Sequence, residues 1–208
     1  MEFALILPLM LLLYIGIVDV TRGVIASRKL DVLSRTISDL VSQQPTSSGA
    51  LTTSQVSTIF TAASVIMQPF STSGIKLTVS AIDIKAKSNN TCCDALVRWS
   101  YTQGGTLRAC TTPLVQVANG TPASPLNIPA SLITANQNAG FGYTSGSTSY
   151  LIIADVSYTY APIFYQAISW FSSGMSKTTY MVPRSATGAV TLNSPVNAPT
   201  GQSGTVCF

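Results

Sequence analysis

Met1-Glu2-Phe3-Ala4-Leu5-Ile6-Leu7-Pro8-Leu9-Met10-Leu11-Leu12-Leu13-Tyr14-Ile15-Gly16-Ile17-Val18 decides how the rest of the chain is read. From Phe3 to Val18 no side chain is charged, and Asp19 is the first acid after the run. As a helix these positions rise ~24 Å, short of a ~30 Å hydrocarbon core. Length alone leaves a buried core helix, a cleaved secretory signal and an uncleaved membrane anchor in contention. Composition separates them. Leu, Ile, Phe and Val side chains in the run favour insertion by roughly 3–7 kcal/mol in sum. A core helix at the extreme N-terminus would have to bury every face. A signal peptide has basic residues before its apolar core and a small-residue cleavage site after it. Here nothing basic precedes the run, and Val24-Ile25-Ala26 is a weak cleavage site. The anchor is the reading adopted. Pro8 removes one backbone donor, which a membrane helix tolerates, and Asp19 is placed at the membrane edge. Glu2 is either solvated among headgroups or needs a partner, as intramembrane acids do.

Outward from this segment the helix continues. Leu30, Leu33, Ile37, Leu40 and Val41 recur at helical spacing, with Arg28, Asp31, Arg35 and Asp39 on other faces. Asp31–Arg35 and Arg35–Asp39 are i,i+4 pairs. Pro45 disfavours helix in its predecessor, so the helix is expected to end near Gln44. A second helix is expected from Ser54 to Gln68, with Val56, Ile59, Phe60, Ala63 and Met67 on one face.

From Ile75 the period becomes two. Leu77, Val79 and Ala81 alternate with polar residues, then the phase slips to Ile82, Ile84 and Ala86, the signature of a β-bulge. A second strand is expected over Ala95–Thr102, with Ala95, Val97, Trp99 and Tyr101 facing inward, followed by a tight hairpin at Gly104-Gly105. Residues 111–149 read as loops with at most one short strand. Tyr150–Tyr160 is a strand with Ile152, Ala154, Val156, Tyr158 and Tyr160 on one face. A short helix over Ile163–Ser172, stopped by Gly174, and a last strand over Lys177–Val182 follow, and the tail from Gly188 to Phe208 reads as polar coil. The expected fold class is α+β: a long N-terminal transmembrane helix, a second helix, then an antiparallel sheet with a short late helix. Residues 1–44 form the anchor and its amphipathic extension, and residues 45–208 an extracytoplasmic domain.

Composition argues against catalysis. Charged residues make up 9% of the chain, against ~25% in ordinary proteins. The chain has no His, which removes Ser-His-Asp and Cys-His sites and most zinc sites. No phosphate-cradling or dinucleotide motif is present. Asp83, Asp94 and Asp155 read as solvated acids on strands. The net charge of +4 is scattered, with no basic run to mark a nucleic-acid footprint. No cofactor, metal, nucleic acid or small-molecule substrate is expected, and no enzyme.

Glu2-Phe3-Ala4-Leu5-Ile6-Leu7-Pro8, the apolar run, Asp19, Arg22 and the amphipathic continuation resemble the N-terminus of the TadE/TadG-like proteins. Those are minor pilin-like components of bacterial tight-adherence (Tad, Flp-type) pilus systems. The resemblance covers residues 2–43, and Tyr158-Thr159-Tyr160-Ala161-Pro162 and Val182-Pro183-Arg184 are similar to the family's C-terminal half. It implies a membrane-anchored minor pilin or pseudopilin, with Glu2, Phe3, Leu5, Pro8, Asp19 and Arg22 in anchoring and assembly. The implied partners are the membrane, other pilin subunits and assembly proteins. The implied location is the inner membrane with an extracytoplasmic domain, or a surface pilus. Processed members carry a cleavage-site Gly before the Glu, and whether a leader is cleaved before Glu2 stays open. A membrane-anchored or secreted adhesin module, binding through residues 111–149, is the alternative function.

Cys92, Cys93, Cys110 and Cys207 suggest two disulfides in an oxidising compartment. Adjacent Cα atoms lie ~3.8 Å apart, too close for a vicinal bridge. The adopted pairing joins one of Cys92 and Cys93 to Cys110 and the other to Cys207. A Cys110–Cys207 bridge stays open, because a tight turn at Gly104-Gly105 would carry Cys110 ~20 Å from Cys93.

Overall fold

The computed structural model describes residues 2–43, 51–85, 94–110, 114, 116–117, 128–129, 148–163, 174–184, 191–192 and 201–207, with side chains in the first helix from Ile6 onward. Helix α1 spans Glu2–Ser42 without a break, carrying Pro8 inside it. Its extension docks on the domain through a stripe that includes Ala26, Leu30, Leu33, Ile37 and Val41, all at 0% exposure. Leu40 packs partly buried beside them. Asp31 pairs with Arg35 at 3.1 Å, but Asp39 pairs with Arg184 at 3.1 Å rather than with Arg35.

Helix α2 (Thr53–Met67) starts at a capping box: Gln55 N donates to the Thr52 hydroxyl, and Thr52 N donates to Gln55 Oε1 at 2.8 Å. The expected apolar face is the buried one: Val56, Ile59, Phe60, Ala63 and Met67. Lys29 from α1 donates to the Ile66 carbonyl at 2.9 Å, placing a cation at the negative end of α2.

Strands β1 (Ile75–Lys85), β2 (Asp94–Gln103), β5 (Thr148–Thr159), β6 (Gly174–Met181) and β7 (Gln202–Val206) form an antiparallel sheet in the order β6-β5-β1-β2-β7. Two-residue strands β3 (Gln116–Val117) and β4 (Ile128–Pro129) pair in parallel apart from it. The phase slip is real, but the extra residue belongs to β2. Ala81 pairs with Trp99 and Ile82 with Val97, so Arg98 is the inserted residue, while β1 runs against β5 without interruption. What changes along β1 is the side of the sheet that is apolar. Leu77, Val79, Ala81, Trp99 and Tyr101 pack against the helices, whereas Ile82, Ile84, Ala95 and Val97 form a second core on the opposite face with Leu151 and Ile153. The four inward residues expected of β2 are all buried, two on each face.

Three expectations fail or change. No hairpin forms at Gly104-Gly105. Gly104, at φ +66°, bridges to Leu77, and the chain then crosses the outer face of the sheet so closely that a Cβ on Gly105 would meet the Thr78 and Thr102 hydroxyls at 2.5 and 2.7 Å. The tail is not coil: Gln202–Val206 takes the place beside β2 that the hairpin would have filled. The last strand is longer than expected, with Gly174 as the first residue of β6. The expected helix over Ile163–Ser172 lies almost wholly outside the described residues.

The absent hairpin also corrects the disulfide pairing. Cys207 N donates to the Arg98 carbonyl at 2.8 Å, holding the tail against β2, and the crossing segment brings Cys110 to it. Cys110 and Cys207 are bonded, with Cα atoms 5.2 Å apart. The adopted pairing with Cys92 or Cys93 is therefore overturned for both of these cysteines. Cys92 and Cys93 lie outside the described residues.

Asp83 and Asp155 are not solvated. Asp83 is 1% exposed and takes two hydrogen bonds from Arg98, at 2.8 and 2.7 Å. Asp155 accepts from Arg108, itself 1% exposed, and from the Thr178 hydroxyl at 2.7 Å. Burial pushes the Asp155 carboxyl up and the Arg108 guanidinium down, each opposed by the partner's charge.

Candidate membrane anchor and its junction with the domain

The first part of α1 stands clear of the protein. Ile6, Leu7, Leu9, Met10, Leu11, Leu12, Leu13, Tyr14 and Ile17 are each more than half exposed. An apolar surface of this extent does not persist in water on a soluble monomer. The helix is long and apolar enough to cross a membrane. Ile15, Gly16 and Val18 are partly buried, and Asp19, one residue past the apolar run quoted at the outset, is the first buried residue among those described.

Asp19 is 2% exposed. Its Oδ1 accepts from Ile163 N at 3.0 Å, and its backbone carbonyl accepts from the Tyr160 hydroxyl at 3.3 Å. The side chain thus satisfies a backbone donor where the chain leaves the end of β5. Arg22, one turn on, lies over the Phe70 ring with 5.7 Å to its centroid. Phe70 meets Tyr160 edge-on, with centroids 6.2 Å apart. Burial raises the Tyr160 hydroxyl above the ordinary phenol range, and Asp19 adds to the effect. Asp19, Arg22, Phe70 and Tyr160 therefore lock the helix to the domain at the level where the apolar segment ends.

Gly23 and Ala26 follow on the same buried face, small enough for the helix to lie close to the sheet. Farther along, the Ser34 hydroxyl bonds that of Thr179 at 2.8 Å, and Arg184 N donates to the Ser42 carbonyl at 3.1 Å. The helix is fastened to the domain from Asp19 to Ser42.

Of the six residues expected to act in anchoring, Asp19 and Arg22 come together at the junction. Pro8 lies within the free helix, and Glu2, Phe3 and Leu5 belong to its first turns, whose side chains are outside the described set. Sequence reasoning missed Phe70 and Tyr160 as the partners of that pair. The Tyr158–Pro162 stretch carried a signal for Tyr160, but nothing local to Phe70 marked it.

Residues 1–37 match the family model described as TadE-like protein. The match ends inside the docked part of α1, so it spans the free helix, the junction residues and most of the buried stripe. No curated protein and no solved structure matches the chain. The TadE-like segment and the apolar helix together fit a membrane protein associated with a tight-adherence pilus.

Proposed function

We propose that this chain is a TadE-like minor pilin or pseudopilin, held in the membrane by residues 2–18 and contributing structurally, not catalytically, to pilus assembly. The observation that carries the proposal is the coincidence of two boundaries. The matched segment is the one whose first half projects, unburied and apolar, from a domain that the second half grips. In such a component the free helix gives way to neighbouring helices or lipid, while the domain sits outside the membrane. The Cys110–Cys207 bond supports an extracytoplasmic domain, since structural disulfides persist in oxidising compartments.

The test is complementation in the bacterium that encodes the protein. Removing the protein is expected to abolish pili, the full chain to restore them, and a chain lacking residues 2–18 to fail. Intact pili with lost surface attachment would replace this reading by the adhesin one.

A further inference from the structure

The apolar run from Phe3 to Val18 rises ~24 Å as a helix, ~6 Å short of a ~30 Å hydrocarbon core. The outward sides of α1 make up the difference. Val20, Val24 and Ile25, turned away from the domain, are 48, 49 and 42% exposed. The two charged side chains in this interval turn inward: Asp19 is buried and accepts from Ile163 N, and Arg22 lies over the Phe70 ring. Thr21, the one polar side chain left outside, donates its hydroxyl to the Ile17 carbonyl at 2.8 Å and so needs no water. Arg28, one turn beyond Val24, is the first outward charge. From Phe3 to Ile25 the helix therefore shows no outward charge over ~34 Å, enough to cross the core.

The head carries apolar groups at the same level. Ile163, whose amide is bonded to Asp19, is 54% exposed, and Ala161 beside it is exposed as well. Along α1 the patch is continuous with the exposed surface from Ile6 to Ile17. A water boundary at Val18 would leave the span short and these side chains in water. A boundary at Arg28 removes both faults and puts a guanidinium at the level of the headgroups, where long basic side chains settle at a membrane surface. Ile25 lies ~10 Å past Val18, within the ~5–10 Å to which interfacial helices sink.

We propose, on the membrane reading above, that the head is seated in the bilayer surface rather than held clear of it. Lipid covers Val20, Val24, Ile25 and Ile163, and the water boundary on α1 lies at Arg28. These few half-exposed side chains set the depth of the head, while the hold on the membrane stays with residues 2–18.

The experiment uses the full chain in liposomes of phosphatidylcholine and phosphatidylglycerol. The photo-crosslinker p-benzoylphenylalanine replaces Ile17, Val24, Ile163 or Val32, one at a time. Val32, 53% exposed on the same side of α1 and about two turns above Ile25, marks the upper limit. Lipid adducts are expected at Ile17, Val24 and Ile163, and none at Val32. Adducts at Ile17 alone overturn the proposal and leave the membrane reading standing, whereas no lipid adduct at Ile17 removes the membrane reading itself. Crosslinks from Val24 to a second copy of the chain in place of lipid overturn the proposal in favour of a helix seam. A lipid adduct at Val32 as strong as at Val24 overturns the boundary at Arg28. A second measurement needs no substitution. In nanodiscs, phosphatidylcholine spin-labelled high on its acyl chain should broaden the methyl signals of Val24, Ile25 and Ile163 and leave those of Val32 sharp, and a water-soluble nickel chelate should do the reverse. Val24 and Ile163 methyls that respond as Val32 does overturn the proposal.

Discussion

At the scale of single residues, the acids of this protein are structural. Asp83 was legible as a polar alternation in a strand, yet the structure buries it, because the residue inserted in β2 is Arg98, whose fork reaches both carboxylate oxygens. No local pattern announces such a pair, since the two residues lie fifteen positions apart and meet only through the sheet register. Arg98 also lies over the Tyr150 ring, 5.5 Å from its centroid. Arg98→Ala is expected to cost about 3–5 kcal/mol in urea denaturation, because it strands a buried carboxylate. Asp83→Ala/Arg98→Ala should cost less than Arg98→Ala alone, and a double variant at least as unstable as the single one contradicts the pairing argument. Tyrosines give a second prediction at this scale. Burial raises the Tyr180 hydroxyl to about 12 from 10, and raises those of Tyr101, Tyr158 and Tyr160 as well. The unfolded chain therefore releases phenolic protons first. Stability is fully present below pH ~10 and falls as pH rises toward ~12. Alkaline melting curves should show this loss, and Tyr180→Phe should make it shallower.

At the scale of elements, what could be read in advance was what has a period. The stripe of α1, the face of α2 and the alternation of β5 appear where the spacing places them, and the slip between Ala81 and Ile82 marked a true register shift. The strand carrying the extra residue was misread, because an apolar switch looks the same whether the strand is bulged or the buried face changes sides. Strand β7 left no such trace. Gln202-Ser203-Gly204-Thr205-Val206 is an edge strand, half-exposed along its length, and its pairing is dictated by β2 and Cys207 rather than by its own pattern. The disulfide is the device that holds this strand and the crossing segment together. Joining residues 97 apart, it is worth about 2–4 kcal/mol as a constraint on the unfolded chain. Cys110→Ser/Cys207→Ser is expected to lower the melting temperature accordingly and to increase hydrogen exchange first in β7 and residues 106–110. Peptide mapping without reductant should recover a Cys110–Cys207 linked peptide, and a Cys110 linked to Cys92 or Cys93 instead would refute this arrangement.

At the scale of the whole molecule, one helix has an exposed apolar part and a docked part, and burial sets in over the turn from Ile15 to Asp19. The apolar run was read from composition alone; its junction was not, because Asp19 looks like any acid at a helix's membrane end until the end of β5 is placed against it. The boundary predicts separability. Among the described residues before Asp19 no side chain joins the buried core, whereas Ala26, Leu30 and Leu33 lie at its centre. Deleting residues 2–18 should therefore remove membrane affinity without removing contacts that fold the domain. The shortened chain is expected in the soluble fraction, monomeric, with the Cys110–Cys207 bond formed and a melting temperature within a few degrees of the full chain in micelles, since a loss of 1 kcal/mol shifts the midpoint by about 2–4 °C at this size. Deleting residues 2–30 should behave differently, as it takes away the Asp19 and Arg22 locks and two fully buried side chains. Truncating one buried Leu costs about 2–5 kcal/mol, a large share of a domain's whole stability. If the two deletions melt alike, the helix is not divided at Asp19, and the free segment contributes to the fold of the domain rather than to the membrane alone.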